Sequence, residues 1–490
     1  MMSTERARET AEAQGAMARL ALGFTAWAER WFPDSYVFAA VALVAVAVGA
    51  LVMGAPPLAV AKGFGDGFWS LIPFTMQMAF VALTGYVVAS SPPAGRLIAR
   101  LAAVPRTGRG AIAAVATISM LASLLNWGLS LVFSGLLVRA LARRAELRMD
   151  YRAAGAAAYL GLGATWALGI SSSAAQLQAN PASLPKPLLQ ISGVIPFTET
   201  IFLWQSMLMA VVLVVVSTAI AWMSAPAGEK AVTAEEMGVA LEGAGSALPR
   251  EKLGQAAGEV QAKRPGEWLE HSPVLTVLLV LMAVGWLGQE MSRQNPIVAI
   301  SNLNTYNLAF LMLGLLLHWR PRSFLDAVAK AVPATGGVLI QFPLYGAIAT
   351  MMTATKGADG HALSDRIAQL FVGLSTAESF PLLMGVYSAV LGFFIPSGGG
   401  KWIIEAPYVM QAANDLQVHL GWAVQVYNAA EALPNLVNPF WMLPLLGVLS
   451  LKARDIVGFS FLQLLVHAPL VLFMLWALGQ TLGYTPPVMP

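Results

Sequence analysis

The sequence predicts an all-α polytopic membrane protein, with about nine spanning helices and two re-entrant hairpins arranged as an inverted repeat. Three observations predict it. Of 490 residues, 57% are hydrophobic and only 11% charged, at a mean hydropathy of +0.66. A soluble domain carries about 25% charged residues, so lipid must be the solvent for most of this chain. Charge-free windows long enough for the ~20 apolar residues of a spanning helix recur along it. Two further apolar stretches are interrupted midway by residues that break helices.

Taken in order, residues 1–33 read as a lead-in without the pattern of a secretory signal peptide. Ala16 to Trp31 has apolar residues at helical spacing, as a helix lying on the membrane surface or an ordinary lead-in would. Span windows run from Ser35 to Ala61, Gly67 to Gly95, Ala153 to Pro185 and Ile201 to Gly228. Beyond a polar stretch come Ser272 to Gln289, Gln294 to Leu317, Ala331 to Thr355, Ala432 to Leu451, and Ile456 to the end. Gly110 to Val138 is interrupted at Asn126-Trp127-Gly128, and Ser379 to Asn414 at Pro396-Ser397-Gly398-Gly399-Gly400.

Loop charge sets the topology. The formal net charge of +3 reports orientation rather than nucleic-acid binding, because basic residues in short loops stay cytoplasmic. Arg96, Arg100, Arg106 and Arg109 precede the first interrupted stretch, and Arg139, Arg143, Arg144, Arg148 and Arg152 follow it. Both clusters fall inside only if the stretch enters and leaves on one face. With a cytoplasmic N-terminus and a second hairpin entered from outside, Arg320, Arg322, Lys330, Lys452 and Arg454 also fall inside.

The expected organisation is a first unit over 34–224 with its hairpin near 110–138, and a cytoplasmic linker over 225–271. A connecting helix over 272–299 follows, then a second unit over 300–490 with its hairpin near 379–414. The odd connecting helix makes the second unit enter from the opposite side. Broken helices in inverted repeats are the pattern of secondary transporters, with the site near the midplane at the repeat interface.

A helix break at membrane depth exposes backbone groups that only protein or a wet cavity can satisfy. At Ser397, Gly398, Gly399 and Gly400 the glycines would let a ligand approach the backbone. The helix restarting at Trp402 would offer free N–H groups and a positive dipole end to a carboxylate. Lys401 would meet a substrate carboxylate, pair with Glu405 one turn on, or reach out to water. Asn126, Gly128 and Ser130 form the matching break, where Asn126 would bind ligand or act as interhelical glue. Glu431 lies in an apolar segment with Asn435 one turn away and Asn438 before Pro439; an ionisable group there is costly and usually functional. Glu431 would take up a proton, ligate Na⁺ or bond the scaffold. Pro434 and Pro439 would break its helix, as Gly169 to Ser173 would break the counterpart.

The chain resembles the bacterial short-chain fatty acid transporter family over nearly its whole length. The resemblance rests on Gly65-Asp66-Gly67-Phe68-Trp69, Met76-Gln77-Met78-Ala79, Asn126-Trp127-Gly128, Pro396 to Trp402, Glu431 with Asn435, and Pro439-Phe440-Trp441. It implies uptake of small carboxylates such as acetoacetate and butyrate. With the site residues above, the leading expectation is a symporter in the cell inner membrane, with Na⁺ or H⁺ as coupling ion and no other cofactor. It also implies kinship with the ion transporter superfamily, whose members use paired hairpins and often an elevator motion in a homodimer. In the family the residue after the triple glycine is not always Lys, which favours a local Lys401–Glu405 pair.

The alternatives are a carrier of dicarboxylates or amino-acid-like anions, and a membrane-embedded enzyme. A single tip lysine favours a monoanion. No Ser/His or His/Asp arrangement or paired intramembrane aspartates support catalysis. The five histidines lack metal-ligand spacing, and the absence of cysteine excludes disulfides, thiol catalysis and Cys-ligated zinc.

Overall fold

The computed structural model describes residues 30, 35–241, 265–293, 296–395 and 397–489. The expected N-terminal surface helix, the middle of the linker and Pro396 lie outside them. The described residues are helical, with two isolated β-bridges, Gly193 to Val488 and Lys356 to Ala362. In chain order the helices are α1 (Ser35–Val52), α2 (Pro57–Phe68), α3 (Ile72–Ala89), α4 (Pro92–Ala103), α5 (Gly108–Leu125), α6 (Trp127–Ala142), α7 (Tyr151–Leu160), α8 (Ser173–Gln178), α9 (Lys186–Ser192) and α10 (Trp204–Ser224). Then come α11 (Pro265–His271), α12 (Val274–Arg293), α13 (Pro296–Ser301), α14 (Leu303–His318), α15 (Pro321–Ala331), α16 (Gly336–Ala354), α17 (Leu363–Leu374), α18 (Phe380–Phe394), α19 (Gly398–Asp415), α20 (Leu420–Asn435), α21 (Pro439–Leu449) and α22 (Ala453–Gly479). Seven stretches among the described residues are long and apolar enough to cross a membrane, one of them the interrupted run Tyr151–Gln178; Ala39–Val52, Trp127–Ala142, Leu303–His318 and Phe380–Phe393 are shorter apolar helices. This is an all-α polytopic membrane protein.

Four short helices go beyond what the sequence predicts: α2, α4, α15 and α17. The helices α2, α4 and α15 each carry their charges at one-turn spacing on one side, and each starts at a proline in the first turn, where the missing N–H costs nothing. The windows 35–61 and 67–95 accordingly each hold one long helix and parts of short ones: α1 ends at Val52 and α2 starts at Pro57, while α3 lies between the end of α2 and the start of α4.

Helix order recurs, α1 to α6 against α14 to α19, and so do the packing partners. The helix α3 packs on α14 and α15, while α16 packs on α1 and α2. Within each unit α4 lies on α6 and α17 on α19, α3 lies on α6 and α16 on α19, α5 lies on α10 and α18 on α22. The interrupted spans cross over, with α8 against α19 and α21 against α6.

The ends of the broken pairs are tied in opposite places. Arg144, just past the first pair, donates to the carbonyls of Ala102 and Pro105 before it, both at 2.8 Å. Arg139 donates to Val448 O at 3.0 Å and Ala240 O at 2.8 Å, and Arg109 to Ala225 O at 2.9 Å. Both flanks of α5–α6 therefore sit beside residues 448–451, at the start of α22. The flanks of α18–α19 sit at the far end of α22: Gln480 donates to Glu378 O and Tyr484 to Asn414 Oδ1. The 27 residues of α22 separate the two by about 40 Å. The arms α5 and α6 pack along each other, whereas α18 and α19 share little contact, since α18 lies on α20 and α22 and α19 on α16 and α17.

Residues 225–241 do more than connect. Their carbonyls hold Arg109, Arg139 and Arg143, and Val232 N donates to buried Asp150, which also caps α7.

Candidate functional site

Both breaks begin with a capped helix. Asn126 Oδ1 accepts from Leu129 N at 2.9 Å to start α6, and Ser397 Oγ accepts from Gly400 N at 3.2 Å to start α19. Such caps satisfy one of the free amides of a helix start and fix the turn that precedes it.

At the first break Asn126, Gly128 and Ser130 are committed to packing. Asn126 Nδ2 donates to Val81 O and Tyr306 Oη, both at 3.1 Å, and Tyr306 in turn donates to Leu125 O. A Cβ on Gly128 would meet Ala82 O tightly, at 3.1 Å, and Ser130 Oγ donates to Ser119 O at 2.8 Å. These three residues lock α3, α5, α6 and α14 together.

The second break meets a cavity. It is lined by Ser397, Gly398, Gly399 and Asn435, by Trp127 of the first break, and by Trp166 and Ser173 of the interrupted span. Met78, Leu162, Val338, Phe342 and Trp441 complete an otherwise apolar wall. It has room for one or two waters. Gly398 and Gly399 open α19, so their N–H groups precede its first backbone bond, Lys401 N to Ser397 O. Asn435 Nδ2 and Oδ1 and Trp166 Nε1 are buried without a partner. The cavity thus combines amide donors, an indole donor and a carboxamide with an apolar wall.

Glycine is used here for side-chain approach. A Cβ on Gly398 would lie 2.1 Å from Trp166, one on Gly400 2.2 Å from the Tyr345 ring, and one on Gly399 3.1 Å from Ser173.

The counterpart span is distorted earlier than Gly169. A π-turn runs from Gly161 to Thr165 and a 3₁₀ turn from Trp166 to Leu168 before α8. Ser119 Oγ takes Gly161 N at 2.9 Å, drawing that amide out of the helix ladder, and the wider turn carries Trp166 to the cavity. On the other span the chain opens after Asn435; Pro434 stays inside α20. Asn438 follows that opening and is partly exposed.

One turn below the cavity lie three charged side chains with no solvent exposure. Lys401 Nζ is 3.0 Å from Glu405 Oε1 and 2.8 Å from Glu431 Oε2. It also donates to Ser388 O at 2.8 Å and Ser388 Oγ at 2.6 Å, and sits 4.5 Å from the centre of the Tyr427 ring. Tyr427 Oη donates to Gly398 O at 2.5 Å, which joins this cluster to the break. Lys401 points away from the cavity; it neither reaches water nor lines the space for a ligand. The Lys401–Glu405 pair is legible at one-turn spacing. Ser388, Tyr427 and the pairing with Glu431 are not, because nothing in sequence spacing links residues on α18, α19 and α20. Trp166 likewise escapes sequence reasoning, hidden in a charge-free window, and Ser173 is legible there only as the end of a helix break, not as part of a site.

Spans interrupted at membrane depth around a largely apolar cavity with a few polar groups are the pattern of a membrane transporter. The short chain fatty acid transporter profile matches residues 16–478. The chain belongs to the short-chain fatty acid transporter family. A relative from Escherichia coli K12, provisionally named a short-chain fatty acid transporter, is 32% identical over 95% of this chain and all of its own length. One from Haemophilus influenzae with the same provisional name is 29% identical over 94% of this chain and all of its own. Among solved structures, the Alcanivorax borkumensis YdaH transporter shares the fold at TM-score 0.55 and 15% identity, covering 92% of this chain and 98% of that one. Neisseria gonorrhoeae MtrF, described within a class of antimetabolite efflux pumps, does so at 0.59 and 14%, covering 96% and 100%.

Proposed function

We propose that the protein carries short-chain fatty acid anions such as acetoacetate and butyrate across the inner membrane by ion-coupled symport, and that the carboxylate binds at the start of α19. The observation that carries this reading is the cavity where Gly398 and Gly399 present helix-start amides beside the unpartnered Trp166 indole and Asn435 carboxamide. A helix N-terminus favours an anion through its free N–H groups and dipole. The cavity as it stands has room for one or two waters, so the wall opens on binding: the alkyl tail displaces Met78, Val338 and Phe342, and the flexible thioether of Met78 gives way first. Ser397, Gly400, Asn126, Gly128 and Ser130 hold the two breaks in place, and Glu431 is the group through which the coupling ion acts, with Asn435 above it.

The repeated helix order, the reciprocal packing and the opposed ends of the two pairs support an inverted repeat in which each pair enters and leaves on one face. Alternating exposure of the cavity then follows from movement of one unit against the other. A dicarboxylate fits less well, because Lys401 is consumed by two glutamates and the cavity offers no fixed cation to a second carboxylate.

Purified protein in liposomes tests the reading. Labelled butyrate is expected to accumulate under an imposed ion gradient, and excess unlabelled acetoacetate or butyrate to compete at least tenfold better than succinate. Absence of uptake under both proton and sodium gradients would remove the assignment.

A further inference from the structure

We propose that Glu405, Lys401 and Glu431 form a one-proton site and that this proton is the coupling ion. The proposal rests on the transport reading for its partner, a small carboxylate, but its charge argument stands on the cluster itself. Two carboxylates and one ammonium sum to −1, and all three side chains are fully buried. A net charge enclosed in protein costs several kcal/mol. One proton on either carboxylate removes it.

Among the described residues the surroundings offer no other compensation. The titratable groups facing the cluster are Tyr345 of α16, Tyr387 of α18, Tyr408 of α19 and Tyr427 of α20, all neutral phenols. Tyr345 donates to Gln341, Tyr387 and Tyr408 bond each other, and Tyr427 donates to Gly398. The charged groups on the elements packed around it, including Lys186, Asp365, Arg366, Asp415 and Arg454, lie at helix ends. The position between the carboxylates is filled by the Lys401 ammonium, which leaves no place there for a metal cation and leaves a proton as the ion that fits.

Coupling follows from proximity. Lys401 lies in the first turn of α19, just after the cavity amides, and Asn435 lies one turn from Glu431 on α20. Tyr427 spans the two sites through its bond to Gly398 and its ring over Lys401. A substrate carboxylate at Gly398 and Gly399 adds a negative charge near the cluster and strengthens proton binding there. By reciprocity the proton strengthens substrate binding by the same factor. The translocated species is then neutral: one anion with one proton.

Two measurements on the full protein separate this proposal from the transport reading. Infrared spectra without substrate at neutral pH are expected to show the carbonyl stretch of a protonated buried carboxyl in the wild type. The band is lost in both E405Q and E431Q, because each leaves one balanced Lys–Glu pair that needs no proton. A wild-type spectrum lacking that band, or a band surviving in both variants, would overturn the one-proton site whatever the substrate. At a pH alkaline enough to have removed that band from the substrate-free wild type, butyrate added in weakly buffered solution is expected to take up protons and restore the band, and the proton count per butyrate bound should fall to zero in E405Q and E431Q. Butyrate binding with no proton uptake by the wild type would overturn the coupling. The infrared band present with no butyrate binding at all would leave the cluster standing and fail the transport reading instead.

Discussion

Lys401→Met is expected to destabilise the protein by about 3–5 kcal/mol, at the upper end of what a single substitution does. Removing one partner of a buried ion pair leaves the other charge uncompensated, and in this cluster it strands two carboxylates, Glu405 and Glu431, at zero exposure. Lys401 also supplies the donors to Ser388 O and Oγ, so the contact between α18 and α19 loses its central bond. Replacing all three charges in K401M/E405M/E431M should recover most of the loss, since buried ionic clusters exchanged for apolar side chains of similar volume are often neutral in stability. The measurement is the thermal unfolding midpoint in detergent. A K401M midpoint within a degree or two of wild type would mean that the cluster is hydrated or already rearranged.

Gly398→Ala is expected to abolish most transport while leaving the fold in place. The added methyl group would sit 2.1 Å from the Trp166 ring. Either the indole moves out of the cavity or the start of α19 shifts away from it. Overpacking of this kind costs about 1–3 kcal/mol. Lost from binding, that energy lowers butyrate affinity about fivefold to 150-fold. The comparison is Gly447→Ala, where nothing lies within 4 Å of the added carbon; it should transport as wild type. Equal uptake by G398A and wild type would place the substrate away from this break.

The sequence makes some of this legible and hides the rest for physical reasons. The spans are visible because lipid excludes charge over long windows, and both breaks because Asn-Trp-Gly and Ser-Gly-Gly-Gly cannot continue an apolar helix unnoticed. Glu431 stands out as an ionisable group in an apolar segment, and Lys401–Glu405 as an i,i+4 pair. Their union is long-range, joining α19 to α20, and no local pattern encodes it. The short helices α2 and α4 are lost because Lys62, Asp66, Arg96 and Arg100 read as loop charges rather than as one face of a helix. Trp166 and Ser173 belong to the cavity only because Ser119 opens the helix ladder at Gly161, a contact made from a different helix. Asn126 and Ser130 are visible as polar residues at a break, but their committed hydrogen bonds follow from packing against Val81, Tyr306 and Ser119.

Occupancy of the cavity at the start of α19 by a small carboxylate can be read from a single thiol. The chain has no cysteine, so Ser173→Cys places one thiol, and no other, in the wall of that cavity. Butyrate should slow its modification by a small thiol reagent in proportion to site occupancy, butylamine should not, and a thiol at Leu443, 60% exposed on the outer surface, should be indifferent to both. Unchanged modification of S173C at butyrate concentrations that saturate uptake would contradict the account.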